Sequence, residues 1–217
     1  MKARSNKRST EPPSPIEENS LCSRGYRFIA GIDEAGRGAL AGPVVAAAVV
    51  LPPFPDFPWL KSVADSKQVP PRRRESLYHL IWQQAIAVSV GVIDSGTIDS
   101  VGILSATRLA MCLAVERLPC SPDFLLIDCL TLPQLSTPQK PIIRGDRLCL
   151  SIACASIVAK VTRDRIMVEL DQLHPGYGFA KHKGYGTKYH LSCLRHRGPS
   201  PVHRYSFTPV RQGSLLP

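Results

Sequence analysis

The order of apolar and polar positions predicts strands in the first half of the chain. Three apolar runs of strand length occupy residues 26–33, 43–51 and 86–93. Short runs of this kind, rich in β-branched side chains, are typical of buried strands. The proline-rich segment 52–58 can form neither a helix nor a central strand, so it predicts a loop.

Helical periodicity fills much of the remaining chain, as expected of helices that pack on a sheet. The predicted helices span residues 72–85, 99–118, 148–170 and 188–197. Two short apolar runs between them, 123–128 and 141–143, predict further strands. Residues 151–159 are rich in Ala, Ser and Cys, whose small side chains permit close packing against a sheet.

This arrangement predicts an α/β fold. Three early strands followed by an alternation of helices and strands form a mixed sheet flanked by helices. The length of 217 residues suits one such domain. Residues 1–25 are polar and dotted with proline, which predicts a disordered leader that adds at most weak phosphate affinity. A flexible tail is predicted over 211–217.

The charge pattern favours a polyanionic partner. The chain has 27 Lys and Arg against 17 Asp and Glu, a formal net charge of +10. The surplus is concentrated after Lys160, no acidic residue follows Asp171, and five of the six histidines lie in this part. A surface of one sign attracts nucleic acid first. The alternative is a solvated tail whose charge serves only solubility.

The cysteines and the absence of long apolar segments indicate a cytoplasmic protein. The seven cysteines are odd in number, form no C-x-x-C pair and lie mostly in apolar runs. This usage is typical of free thiols in a reducing compartment. No signal peptide is evident, and no run reaches the roughly 18 apolar residues of a membrane span.

Carboxylates at strand ends are the candidate chemistry. Asp33 and Glu34 end the first strand, Asp128 ends a later one, and Asp146 follows another after a turn. Adjacent anions at the end of an apolar strand repel each other unless a cation lies between them. The alternative is that Asp33 and Glu34 are solvated turn residues. Asp164, between two arginines, competes with Asp146 but fits an ion-paired support better.

A phosphodiester hydrolase would use such carboxylates to hold metal ions. Two divalent ions roughly 4 Å apart activate water and stabilise the leaving oxygen. Oxygen ligands suit Mg²⁺ or Mn²⁺, and the sequence offers no His/Cys cluster suited to zinc. The predicted cofactors are therefore two Mg²⁺ or Mn²⁺ ions.

The segment Gly31-Ile-Asp-Glu-Ala-Gly-Arg-Gly38 resembles the opening motif of ribonuclease HII, the bacterial type 2 ribonuclease H. The resemblance continues in family order over roughly residues 26–210. Its further blocks lie at 42–50, 65–68, 103–107, 126–128, 142–146, 151–165, 176–179, 182–185 and 198–203. Short motifs match singly by chance but not jointly in order.

The resemblance implies a fold, a reaction and a site. The fold would be ribonuclease H-like with a helical C-terminal extension, forming a catalytic domain over 26–210. The enzyme would hydrolyse the RNA strand of RNA–DNA hybrids and cut 5′ to single ribonucleotides in duplex DNA. It would leave 3′-hydroxyl and 5′-phosphate ends by a two-metal mechanism. The implied catalytic and metal ligands are Asp33, Glu34, Asp128 and Asp146.

Substrate recognition is predicted from the same motifs. The loop of Gly36, Arg37 and Gly38 would contact the ribonucleotide, since glycines let main-chain groups approach a sugar. Tyr185 would pack on the sugar of the following deoxynucleotide. The predicted phosphate contacts are Lys67, Arg144, Lys160, Lys181, Lys183 and His203.

Three departures from the family pattern concern rate rather than class. The chain has Gln68 where a second Lys is usual, Arg144 where Lys is usual, and Cys129 where Gly is usual. The rival interpretations are another nuclease of the same fold class, such as a junction resolvase or an integrase, and a basic RNA-associated protein without chemistry. A monomer that binds no membrane is expected.

Overall fold

The structure, a computed structural model, describes residues 12–64, 66 and 69–213. Its centre is a five-stranded sheet in the order β3-β2-β1-β4-β5. Its strands are β1 (Ile29–Ala35), β2 (Val44–Val50), β3 (Ala87–Ile93), β4 (Phe124–Asp128) and β5 (Gln139–Ile142). Each overlaps one of the predicted apolar runs, although β5 begins two residues before the predicted 141–143, and the predicted mixed α/β sheet is confirmed.

Strand direction brings the acidic strand ends together. β1 pairs antiparallel with β2, and β2 pairs antiparallel with β3. β4 runs parallel to β1, with Ile32 opposite Ile127, and β5 runs parallel to β4. Because β1 and β4 point the same way, the residues that follow this pair, Asp33 and Asp128, lie at one edge of the sheet.

Helices cover both faces of the sheet. They are α1 (Ile16–Ser23), α2 (Pro71–Gln84), α3 (Ser95–Val101), α4 (Ile103–Glu116), α5 (Gly145–Leu148), α6 (Leu150–Leu173), α7 (Phe179–His182), α8 (Lys188–Arg197) and α9 (Thr208–Gly213). A 3-10 helix spans Pro58–Ser62. Alternate residues of each strand face opposite layers, so Ile32 packs in the α4 layer and Ala47 in the α2 and α6 layer.

α6 is the central helix, and it lies unusually close to β1. Its residues from Leu150 to Ala159 are all buried. A Cβ atom at Gly31 would collide with the backbone of Ser151 and Ile152. Glycine in β1 and small side chains in α6 therefore allow the helix backbone to rest on the strand, as the composition of 151–159 predicts.

Two predicted helices are divided in the structure. The pattern over 99–118 is broken at Gly102, whose φ of +78° separates α3 from α4. α3 begins earlier than predicted because Asp94 caps it, accepting a hydrogen bond from the Thr97 amide at 2.7 Å. The helix predicted over 148–170 is likewise preceded by α5 and starts after the extended residue Cys149.

The prediction of a disordered leader is wrong for residues 16–23. They form α1, which buries Glu18 and Leu21 against the body of the protein. A helix of eight residues, about two turns, carries too few apolar residues on one face to show periodicity in the sequence. The predicted flexible tail is also wrong for residues 211–213, which end α9. Residues 1–11 and 214–217 lie outside the described part.

No helix in the described residues is long and apolar enough to cross a membrane.

Gly91 of β3 offers a test of the packing on the α4 face. A Cβ atom there would collide with the Ala110 carbonyl of α4, so Gly91→Ala must displace the helix backbone. We expect a loss of about 3 kcal/mol in the free energy of unfolding, measured by urea denaturation. Gly96→Ala, in α3 with only the Asp94 carboxylate nearby, is the control and should be neutral or slightly stabilising. Equal stability of the two variants would contradict this packing.

Candidate active site

Asp33 is the buried residue of the acidic edge, the end of the sheet at which Asp33, Glu34 and Asp128 lie. It is only 5% exposed and lies on the face of β1 that α6 covers. Its Oδ1 accepts a hydrogen bond from the Glu34 amide at 2.7 Å, and Ser156 of α6 also hydrogen-bonds to the carboxylate. Ser156 is held in turn by Ser66, with their Oγ atoms 2.9 Å apart.

Asp128 is fixed by the start of α5. Its Oδ1 accepts a hydrogen bond from the Gly145 amide at 2.7 Å. Arg144 enters the helix with a left-handed φ of +60°, which turns the chain so that this amide points at Asp128. Asp146 is the next residue, in the first turn of α5, and is half-buried. The structure thus brings Asp146 into the neighbourhood of Asp128.

The negative charges at this edge lie close enough to repel one another. Burial raises the pKa of Asp33 well above its usual range, and the negative charges of Glu34 and Asp128 raise it further. The hydrogen bonds from Ser156 and from the Glu34 amide act in the opposite direction but do not cancel the effect. The ionised form of Asp33 is therefore disfavoured by its burial and by the two neighbouring carboxylates.

The donor set fits hard divalent cations that retain part of their hydration. Within the described residues, no three His, Cys, Asp or Glu side chains converge closely enough to enclose an ion by themselves. Mg²⁺ usually takes one or two carboxylates and completes its shell with water and substrate phosphates. A cation beside Asp33 would also offset the charge repulsion there. The carboxylates suit such an open site.

Arg37 connects the acidic edge with the loop that follows β1. Its guanidinium lies 3.2 Å from Glu34 Oε1, and its side chain is 44% exposed. Gly38, the next residue, is exposed and has open space where a side chain would be. The loop therefore presents one cation and a bare stretch of backbone beside the carboxylates.

Two buried arginines hold this loop from below. Arg163 of α6 donates to the carbonyls of Pro43 at 2.9 Å and Ala41 at 3.0 Å. Arg204 donates to the carbonyls of Gly42 and Arg37. Burial lowers the pKa of Arg163 and lowers that of Arg204 to about 9. The loop is thus shaped by side chains that contact its backbone.

Arg163 also explains one of the loop glycines. Gly36 has a φ of +96°, and a Cβ atom there would collide with the Arg163 guanidinium. The same guanidinium donates to the Lys183 carbonyl at 2.9 Å. Sequence reasoning missed Arg163 and Arg204 as functional residues, although Arg163 lies within a motif. Their burial comes from contacts between distant segments, for which the local sequence has no signal.

Tyr185 lies next to the loop that follows β1. The Leu40 amide donates to the Gly184 carbonyl at 2.8 Å, which joins the two segments. The half-buried Tyr185 ring has Arg163 Cζ at 5.5 Å and Lys160 Nζ at 6.0 Å from its centroid. Cations at these distances favour a fixed ring orientation.

A chain of buried histidines supports the Tyr185 backbone. His203 Nδ1 faces the Ser200 amide at 2.9 Å, and its Nε2 lies 2.9 Å from His190 Nε2. His190 Nδ1 lies 3.0 Å from the Tyr185 carbonyl, which can only accept. Since His190 must donate from Nδ1, its Nε2 accepts from His203. Both rings are therefore neutral, and burial lowers the pKa of each to about 4.

The predicted phosphate contacts have unequal outcomes. His203 is 1% exposed and fully engaged in the histidine chain, so its prediction as a phosphate contact is wrong. Lys160 is bound to Asp164 at 2.6 Å, and Lys183 Nζ donates to the Ala180 carbonyl at 2.7 Å. Arg144 and Lys181 are exposed. Lys67 and the neighbouring Gln68 lie outside the described residues.

Asp164 is ion-paired, as expected of a supporting residue. Its partners are Lys160 and Arg74, at 2.6 and 3.4 Å, rather than the arginines that flank it in sequence. Cys129, next to Asp128, is exposed and adopts a left-handed φ of +60°. Glycine adopts this conformation more easily, so the family's usual residue would be less strained there.

The mixed sheet and its flanking helices form a ribonuclease H-like fold. The chain superimposes on the ribonuclease H2 of Pyrococcus horikoshii with a TM-score of 0.69, at 23% identity over 85% of this chain and 96% of that one. It also superimposes on Bst-RNase HIII in complex with Mn²⁺ with a TM-score of 0.63, at 19% identity over 90% of this chain and 72% of that one.

Sequence comparison gives the family. The ribonuclease HII family model matches residues 30–210. The ribonuclease HII of Dehalococcoides mccartyi strain ATCC BAA-2266 is 55% identical over 199 residues, covering 92% of this chain and 94% of that protein. The chain therefore belongs to the ribonuclease HII family, as its motifs predict. It is accordingly a ribonuclease H, an enzyme that hydrolyses RNA in RNA–DNA hybrids.

The histidine chain predicts a loss of stability in acid. Because the folded pKa of about 4 lies below the ordinary value of 6.5, the unfolded chain binds more protons between these limits. The contribution of each neutral histidine to the free energy of unfolding is therefore fully present above pH 6.5 and is lost as the pH falls toward 4. We expect the free energy of unfolding to fall by about 2 kcal/mol per imidazole between pH 7 and pH 5.

Urea denaturation at pH 7, 6 and 5 measures this effect. The double variant His190→Gln, His203→Gln should show a flatter pH dependence than the wild type, because its amides do not titrate. His79→Gln, at an exposed histidine beside Glu75, is the control and should retain the wild-type profile. Wild-type and double-variant profiles of the same slope would contradict the neutral histidine chain.

Proposed function

We propose that this enzyme, in addition to hydrolysing RNA in RNA–DNA hybrids, cuts 5′ to single ribonucleotides in duplex DNA and leaves 3′-hydroxyl and 5′-phosphate ends. The observation that carries the proposal is the burial of Asp33 beside two further carboxylates, at an edge flanked by a loop in which Arg37 and Gly38 are exposed. Residues 26–210 would form the catalytic domain.

The proposed ligands are Asp33, Glu34, Asp128 and Asp146. When bound, two divalent ions, Mg²⁺ or Mn²⁺, would activate water and stabilise the leaving oxygen. The Mn²⁺ complex of Bst-RNase HIII, which shares the fold, supports a divalent ion. In this chain, the Gly145 amide holds Asp128 and the Glu34 amide holds Asp33, so the ligands are oriented before an ion binds.

Ribonucleotide recognition would use the loop and Tyr185 as one surface. The exposed backbone at Gly38 can approach a 2′-hydroxyl, the group that distinguishes RNA from DNA. Arg37 can exchange its exposed ion pair with Glu34 for a substrate phosphate. Tyr185, joined to the loop through Gly184 and Leu40, would pack on the sugar that follows.

The exposed residues Arg144 and Lys181 are the best-placed phosphate contacts among those described, with Lys160 and Lys183 at the rim of the proposed substrate surface.

All seven cysteines lie in the described part and each is a free thiol, which supports a cytoplasmic enzyme. We further propose a monomer. A nuclease of the same fold that cuts DNA alone would have no use for the Gly38 and Tyr185 surface.

Removing one proposed ligand tests the metal chemistry. Asp33→Asn or Asp128→Asn should reduce hybrid cleavage at least tenfold and leave hybrid affinity unchanged, since neither touches the basic surface. Without metal, Asp33→Asn should also unfold at the same or a higher temperature than the wild type, because it removes a buried, repelled charge. Asp164→Asn is the control and should lose less activity than Asp146→Asn. Turnover above a tenth of wild type in Asp33→Asn would reject the assignment.

Removing the Tyr185 ring tests recognition at the junction. Tyr185→Ala should lower kcat/KM more for a single ribonucleotide in DNA than for an all-RNA strand, because the packed sugar is a deoxyribose only in the former. Tyr189→Ala, at a neighbouring tyrosine that is 56% exposed, is the control and should change both values little. Equal losses on the two substrates would reject Tyr185 as the junction reader.

A further inference from the structure

The N-terminal segment supplies the cap of the central helix. α6 begins at Leu150, and the side chain of its N-cap residue, Cys149, makes no capping hydrogen bond. The first amides of a helix have no partner within it. The Leu150 amide donates to the Ser14 carbonyl at 3.2 Å, and the Ser151 amide donates to Glu18 Oε1 at 2.6 Å. Both partners precede α6 by more than 130 residues.

Glu18 is built into this contact. It is 4% exposed, and its Oε1 also accepts from Cys149 Sγ at 3.1 Å. Leu21, one turn later on α1, packs in the same cluster as Cys149 and Ile152. A buried carboxylate at the start of a 24-residue helix interacts favourably with its dipole. Glu17, by contrast, points outward and pairs with Lys140 at 2.7 Å, with about half of the lysine side chain exposed.

The first turn of α6 contacts residues that position both Asp33 and Asp128. The backbone of Ser151 and Ile152 rests on Gly31, two residues before Asp33. The Ile152 side chain lies under Gly145, at 2.6 Å from where a Cβ atom would stand. Gly145 in turn donates the hydrogen bond that fixes Asp128. A shift of this turn would therefore move Asp33 and Asp128 together.

We infer that Glu18 is a positioning residue, which sets the separation of Asp33 and Asp128 through the first turn of α6. The inference rests on the proposed function of these two aspartates as metal ligands. Glu18 itself contacts neither the carboxylates nor the substrate. Its loss lets the turn relax away from Gly31 and Gly145, so the ligands separate while the basic surface and Tyr185 remain in place.

The experiment compares Glu18→Ala and Glu18→Gln with the wild type, and Glu17→Ala is the matched control. Two measurements are made at a temperature at which each protein is folded. A titration gives the affinity of the free protein for Mn²⁺, and kinetics give kcat and KM for a hybrid substrate. Glu18→Ala should weaken Mn²⁺ binding and lower kcat at least tenfold, with KM within twofold. Glu18→Gln can still accept the hydrogen bond from the Ser151 amide but carries no charge. Its Mn²⁺ affinity and its kcat should each fall about threefold.

Glu17→Ala should match the wild type in both measurements. A folded Glu18→Ala variant with wild-type kcat and Mn²⁺ affinity would show that Glu18 only stabilises the fold, and would overturn the inference. If that variant does not fold, Glu18→Gln decides: wild-type values in both measurements would overturn it. A wild-type protein that binds Mn²⁺ but does not cleave the hybrid would instead refute the proposed function.

Discussion

The contact between α6 and β1 at Gly31 is the constraint on which the rest of the structure depends. With no side chain on the strand, the helix backbone lies directly on it. A straight helix rises about 1.5 Å per residue, so Ser156 and Arg163, which are seven residues apart in α6, are separated by roughly 10 Å along its axis. α6 meets the acidic edge through Ser156 and the loop through Arg163. One rigid helix therefore fixes the distance between the proposed metal ligands and the proposed recognition loop.

Buried charges are stabilised differently at the loop and at the acidic edge. The buried guanidinium groups of Arg163 and Arg204 are surrounded by main-chain carbonyls, whose dipoles satisfy the donors without a carboxylate partner. At the acidic edge, Asp33 receives two hydrogen bonds but still has a raised pKa. Burial disfavours the charged form at both places, but Arg204, with a pKa lowered to about 9, remains protonated at neutral pH and its donors are satisfied. At the acidic edge, neighbouring negative charges add to the burial, and a cation would offset them. This asymmetry distinguishes a supporting element from a site.

The sequence predicts the sheet well because periodicity is a local property. Every strand of the described sheet overlaps a predicted apolar run, and α8 (Lys188–Arg197) matches its predicted bounds. The carboxylates could be found because they follow apolar runs whose ends meet in a parallel pair. Gly102, a single residue with positive φ, divides a pattern that is otherwise helical. α1 was missed because its burial depends on distant parts of the chain: Glu18 contacts the start of α6, and Leu21 packs in a cluster that includes residues of β4 and α6.

The misassigned histidine shows the limit of reading single residues. His203 sits among basic residues and could contact phosphate as far as sequence alone can tell. In the structure its two ring nitrogens are used by Ser200 and His190, and the proton it donates determines that His190 donates to Tyr185. Its position is thus fixed by a tautomer chain through three separate segments. Under the proposed function, His203 would serve recognition indirectly, because through His190 it supports the backbone of Tyr185, the residue proposed to meet the sugar.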